Sequence, residues 1–257
     1  MAGEKGRYVR QSLPRKWIAD MLHFSKRVPV VAAERTVRVR AAADARKASG
    51  LTIGWNTVVV KTLAIVSQRI PEMRRAYIPY PWPRLYEAPY SVASIILDRE
   101  YEGEHATFMA PVLHPERLSL VELQAKLDRL KTAPVHEVGA FRRLIRNTRF
   151  PLPIRRLLWS TGMYWSGLFR ARTFGTFAVN SVAAMRGRML TMTTPITLCV
   201  YYGAVSRDGE MPVQFAFDHR VFDGYTAGQI GYESERVLNN EIATELASIN
   251  NPRRAAA

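Results

Sequence analysis

A single cysteine, Cys199, occurs in 257 residues, which excludes an intramolecular disulfide framework and any metal site built on several thiolates. No stretch approaches the ~18 consecutive apolar residues of a membrane span, and the opening MAGEKGRYVRQSL lacks the apolar run of a secretory signal. These absences lead to the expectation of a protein in the reducing cytoplasm. No internal repeat, low-complexity tract or linker divides the chain, so residues 1–257 are expected to form one domain. Lysine is scarce too: of 37 basic residues only seven are lysine, leaving 30 arginines.

What the chain has in quantity is apolar content, 47%, and positive charge, +15 with a pI near 10.3. The first predicts a packed core. The second predicts an anionic visitor: nucleic acid, an anionic membrane surface, a phosphate-bearing cofactor or an acidic carrier protein. No nucleic-acid recognition motif accompanies the charge, so that partner is not expected.

Hydrophobic periodicity supplies the elements. Ser12 caps a helix over LPRKWIADMLHFSKRV, with Pro29 closing it. ERTVRVR alternates, with Val37 and Val39 inward. Ala41 to Ser49 reads as a short helix closed by Gly50, and Asn56 as the cap of the apolar helix TVVVKTLAIVSQRI. The proline-rich YIPYPWPRLYEAPY must be loop or edge. YSVASIIL and ATFMAPVL read as a hairpin around DREYEGEH. Ser119 and Glu122 make a capping box before LVELQAKLDRLK. TFAVNSV, ITLCVYYGAV and PVQFAFDH follow as strands, the last two joined by the turn Ser206–Gly209, and a long helix from about Thr226 to Ser248 closes the chain.

Between these stands a segment of different composition, 134–172, with eight arginines against one acidic residue, Glu137. It interleaves Trp159, Tyr164, Trp165 and Phe169 with cationic ends. Such a mixture suits an interfacial helix on an anionic membrane, over residues 141–172, and equally a lid or an excursion packed on its own domain.

In VQFAFDHR the two-residue period sets Val213, Phe215, Phe217 and His219 on one face and Gln214, Ala216, Asp218 and Arg220 on the other. An imidazole at the end of that apolar face is desolvated, which favours the neutral form that acts as a general base. A lone histidine on such a face is more often a core residue than a catalyst. The string around it, DHRVFDG, is more specific.

DHRVFDG resembles the His-x-x-x-Asp-Gly signature of the chloramphenicol acetyltransferase superfamily, in the form carried by dihydrolipoamide acyltransferases of 2-oxoacid dehydrogenase complexes. LPRKWIADMLHFSKRVPV is similar to the opening helix of those catalytic cores, MAPVLHPERLSLVELQAKL to a later strand-and-helix stretch, and FGTFAVNSV to their GTFTISNLG strand. The matches run in order along nearly the whole chain, with 134–172 as an insert outside them.

The resemblance implies a two-layer α/β fold, a mixed, mostly antiparallel sheet with helices on one side. It implies direct acyl transfer from a thioester to a thiol or hydroxyl, without an acyl-enzyme, with His219 as base. Asp223 would be structural, bonding Arg15 of the opening helix, with Arg220 and Gly224 in support; Asp223-Gly224 also suits a turn before the helix. Asn180, or Ser181 next to it, would stabilise the tetrahedral oxyanion. Coenzyme A is implied as substrate, and no metal. No lipoyl domain stands in this chain, so a lipoyl group would come from another protein; a free acyl-CoA or acyl carrier protein would serve equally. A homotrimer with its site between subunits is implied, the alternative being a non-catalytic trimeric scaffold. Because NPRRAAA offers little apolar area, trimers are expected not to build a larger cage.

Overall fold

The computed structural model describes residues 6–181 and 193–249. The tail 251–257, on which the expectation about cages rests, lies outside them. Alternating apolar segments form β1 (Val30–Arg38), β4 (Val92–Tyr101), β5 (Glu104–Leu113), β6 (Phe177–Ser181), β7 (Leu198–Tyr202) and β8 (Glu210–Asp218). They join in one sheet in the order β1-β8-β7-β6-β4-β5. The pairs β1–β8, β8–β7 and β4–β5 are antiparallel, and β7–β6 and β6–β4 parallel. The proline-rich stretch contributes a separate two-stranded ribbon, β2 (Arg75–Ile78) with β3 (Arg84–Glu87).

Several helix boundaries follow from side-chain caps. Ser12 Oγ accepts from Arg15 N ahead of α1 (Leu13–Ser25). The capping box forms at α4 (Leu120–Thr132): Ser119 Oγ accepts from Glu122 N at 3.2 Å and the Glu122 carboxylate accepts from Ser119 N at 2.8 Å. Those bonds hold the Glu122 carboxyl below the usual carboxylate range. α2 spans Arg40–Ala48. α3 (Trp55–Arg69) starts behind Gly54, not Asn56, because Gln124 Oε1 on α4 accepts from Gly54 N at 2.8 Å and fixes the entry there. The β4–β5 strands run further than the polar DREYEGEH suggests. Glu102 and Gly103 both take positive φ, 53° and 77°, and close the hairpin in two residues.

Both sides of the sheet are covered. On β7, Leu198, Val200 and Tyr202 enter one core and Cys199 and Tyr201 another, and successive strand residues face opposite ways. The first core is closed by α2, α3, α4, α8 (Gly224–Val237) and α9 (Ala243–Ile249), the last two joined by a π-helical turn, Leu238–Ile242. The second is closed by α1, α6 (Leu152–Tyr164) and α7 (Gly167–Phe174), with α5 (Gly139–Thr148) against β5 through Phe141 on Phe108. The mixed, mostly antiparallel sheet is the one expected; helices on one side only is corrected. The cause is the basic segment, which buries Phe141, Leu144, Trp159 and Met163 with Phe174 just beyond it and with Trp17 and Phe24 of α1.

The same segment leaves a second apolar face outside. Leu152, Ile154, Leu157, Trp165 and Phe169 are exposed. Among the described residues no helix is long and apolar enough to cross a membrane.

Candidate active site

β8 carries the histidine motif to the rim of the sheet, but the strand ends at Asp218. Val221 N donates to Asp218 O at 2.9 Å, closing a turn in which His219 is the first projecting residue. His219 N donates to Pro29 O at 3.1 Å, which ties the turn to the α1–β1 connection. The side chain is exposed in the single chain. Desolvation by the chain's own core, expected from the alternation, is therefore corrected: the turn breaks the two-residue period and swings the imidazole off the face of Phe217.

The ring is nevertheless held. It meets Phe217 edge-on at 6.0 Å, and Nδ1 lies 3.2 Å from Phe222 O. A carbonyl only accepts, so in the neutral imidazole the proton sits on Nδ1 and the lone pair of Nε2 faces outward. That is the tautomer a general base needs.

Beneath the turn is a polar cluster that the sequence does not announce. Asp218 is fully buried, and its Oδ1 accepts from Arg220 N at 3.1 Å, a local turn-forming bond. The Arg220 guanidinium binds the same carboxylate twice, at 2.8 and 2.7 Å, and stacks on Tyr77 at 4.3 Å. Next to it lies Arg170 of α7, 3% exposed, donating to Tyr77 O at 2.7 Å and Pro195 O at 2.9 Å. Burial pushes the Arg170 pKa down to about 10, opposed by the charge of Asp218. The motif sets Asp218 and Arg220 two apart, a local sign of their proximity but not of the burial of Asp218. Arg170, 48 positions upstream in the insert, has none.

Asp223 does not meet Arg15. Its Oδ1 accepts from Thr226 N at 3.1 Å, making it the N-cap of α8, while Arg15 pairs with Glu104 of β5 at 2.9 Å. The expected bond is corrected for a topological reason: α1 lies toward β5, and Asp223 follows β8, with β4, β6 and β7 between them. Gly224 opens α8 with a φ outside the left-handed region, and a Cβ there would meet nothing within 4 Å. Nothing in this chain needs a glycine at that place.

Asn180 and Ser181 end β6, one half-buried and one exposed. Consecutive on a strand, they point to opposite sides. The Ser181 hydroxyl bonds Tyr202, whose pKa burial pushes up to about 12 against the effect of that bond. Register separates both from the histidine. Ser181 is level with Tyr202 and, across β7, with Val213, whereas β8 continues five residues to Asp218, about 17 Å, before His219. Within one chain His219 and either oxyanion candidate lie at opposite rims of the sheet. Residues 182–192, which follow Ser181, lie outside the described residues. Cys199 is buried, its thiol pushed up to about 12, and takes no part. Among the described residues no cluster of His, Cys, Asp and Glu could hold a metal.

No protein-family model matches the sequence. No curated protein matches it either. Solved structures do match the fold. A probable dihydrolipoamide acetyltransferase from Listeria monocytogenes 4b F2365 superposes with a TM-score of 0.62, covering 98% of this chain and 97% of that one at 16% identity. The dihydrolipoamide acetyltransferase of Azotobacter vinelandii gives 0.63 over 93% of each chain at 17% identity. A chloramphenicol acetyltransferase gives 0.52, covering 86% of this chain and 94% of that one at 14% identity. The chain has the chloramphenicol acetyltransferase-like fold. The likeness extends from end to end of the dihydrolipoamide acetyltransferase cores, and at these identities the fold is what is shared.

Proposed function

We propose that the chain is an acyltransferase whose site is assembled between copies, the histidine from one and the oxyanion donor from its neighbour. The observation that carries this is the exposed imidazole of His219, whose Nδ1 meets Phe222 O and so leaves the lone pair on Nε2. The A. vinelandii enzyme supports it: a serine, a histidine and an asparagine have been probed there for roles in catalysis, the last two four residues apart, as His219 and Asp223 are here. The acceptor thiol or hydroxyl gives its proton to Nε2 and attacks the thioester carbonyl. Asn180 or Ser181 of the neighbouring copy donates to the oxyanion, the C–S bond breaks, and the leaving thiolate recovers the proton from His219.

A homotrimer supplies the missing half of each site, and the open flank at Gly224 suits close approach by a neighbour or substrate. Coenzyme A, or a lipoyl or acyl group on a carrier protein, is the thioester donor; arginines match its phosphates. The location proposed is cytoplasmic, and peripheral on the membrane.

Subunit mixing tests the shared site. His219→Ala and the double variant Asn180→Ala/Ser181→Ala are each expected to release little thiol from acyl-CoA esters in the presence of dihydrolipoamide. Unfolded and refolded together at equal amounts, they should regain about a quarter of the wild-type rate, because that fraction of interfaces pairs an intact histidine with an intact donor. No recovery, with each variant trimeric, would put base and donor in the same copy, and no thiol release by the wild type would favour the non-catalytic scaffold.

The exposed apolar face of 150–169, flanked by Arg142, Arg146 and Arg172, carries the membrane contact. Leu157→Glu is expected to reduce co-sedimentation with anionic vesicles several-fold and leave the negligible binding to neutral vesicles unchanged. Equal sedimentation of wild type and variant would remove this contact.

A further inference from the structure

On the second side of the sheet, away from His219, a cavity of about 150 Å³ lies between α1, β5, α5, α6 and α7. Its walls include the buried rings of Trp17, Trp159 and Phe174. Trp159 packs on Phe174 at 4.8 Å and on Phe24 at 5.4 Å. Stiff rings braced on one another cannot fold over to fill the gap beside them. A cavity of this size in another protein admits benzene, so there is room for about six carbon atoms.

The charge lining this apolar space is net positive, Arg143 and Arg155 against Asp20. Asp20 is the sole acidic residue lining it, and that carboxylate serves two guanidinium groups, Arg155 at 2.8 Å and Arg156 at 3.4 Å. At the mouth, Arg143 is exposed beside Phe169 and Asn147 and has no ion-pair partner among the described residues. A neutral apolar molecule would use the rings alone. An alkyl chain ending in one anionic group uses the rings and the unmatched positive charge together.

We infer that this cavity binds a medium-chain carboxylate, the chain seated among Trp17, Trp159 and Phe174 and the carboxylate at Arg143. None of its lining residues belongs to the histidine turn or is a candidate oxyanion donor. It is therefore a second site, and its occupancy does not depend on acyl transfer.

Octanoate is the probe, read by calorimetry and by tryptophan fluorescence, with octanol as the uncharged control and octanoyl-CoA as the esterified source of the same chain. Octanoate is expected to bind saturably, one per chain, at least tenfold tighter than octanol, and equally in His219→Ala. Arg143→Gln should bring octanoate down to the octanol level, and Ala140→Phe, which fills the cavity from α5, should abolish both. Should Ala140→Phe fail to fold, the surface variant Arg143→Gln still decides. Displacement of octanoate by octanoyl-CoA, whose acyl end carries no carboxylate, would overturn the free acid as occupant, and no displacement supports it. Unsaturable binding, or binding unchanged in Arg143→Gln, would overturn the site.

Discussion

Replacing His219 with alanine is expected to slow acyl transfer by about two to four orders of magnitude, the range a positioned general base contributes. Folding should be little affected. The imidazole is exposed, and the bond that anchors the turn is made by the His219 backbone N–H to Pro29 O, which alanine keeps. What alanine removes is the bond from Nδ1 to Phe222 O and the edge-on approach to Phe217. A large fall in kcat at unchanged thermal stability is thus the signature of a proton acceptor and not of a brace. Thiol release from acyl-CoA, followed for wild type and variant at matched protein concentration, measures it. Equal rates would end the catalytic role.

Asp218→Ala should act on stability as well as activity. The carboxylate is fully buried, and its removal leaves Arg170 sealed in the interior without the charge that offsets its burial. Breaking a buried charge pair from one side costs about 3–5 kcal/mol. For a chain of this size that corresponds to a fall in Tm on the order of 10 °C. The Arg220 guanidinium and backbone N–H also lose their acceptor, so the turn that aims His219 loosens and the rate falls too. Removing both charges, in Asp218→Ala/Arg170→Met, should recover part of the lost stability, since the fully buried guanidinium is gone and only the more exposed Arg220 is left without its acceptor. Thermal unfolding of the two variants decides. A single variant melting within about 2 °C of wild type would show that Arg170 needs no partner there.

Much of the fold is legible in the sequence because its signals are local. Alternation in β4, β5, β7 and β8, the capping box at Ser119, and the turn at Ser206–Gly209 each depend on residues within a few positions of one another. The histidine motif is legible as a string. Its surroundings are not. Alternation puts Asp218 on the face opposite the phenylalanines, with nothing nearby to cover it, yet it is fully buried, because helices from the basic segment close that side. Motif order pairs Arg15 with Asp223, whereas strand order carries them toward opposite ends of the sheet, where Glu104 and Thr226 N are the nearer partners. Composition leaves 134–172 open between packing on its own domain and an exposed interfacial face; α6 has both a side buried in the second core and a side open to solvent.

The sequence by itself determined the alternating strands, the capped helices, and a histidine delivered to a strand end by DHRVFDG, since these follow from spacing within single elements. Only the tertiary structure decided that a second core closes the other side, that Arg170 underpins the histidine turn, and that the candidate base and oxyanion donors stand at opposite rims. Those outcomes depend on strand order and on charges brought together from distant parts of the chain, and neither is written in local periodicity.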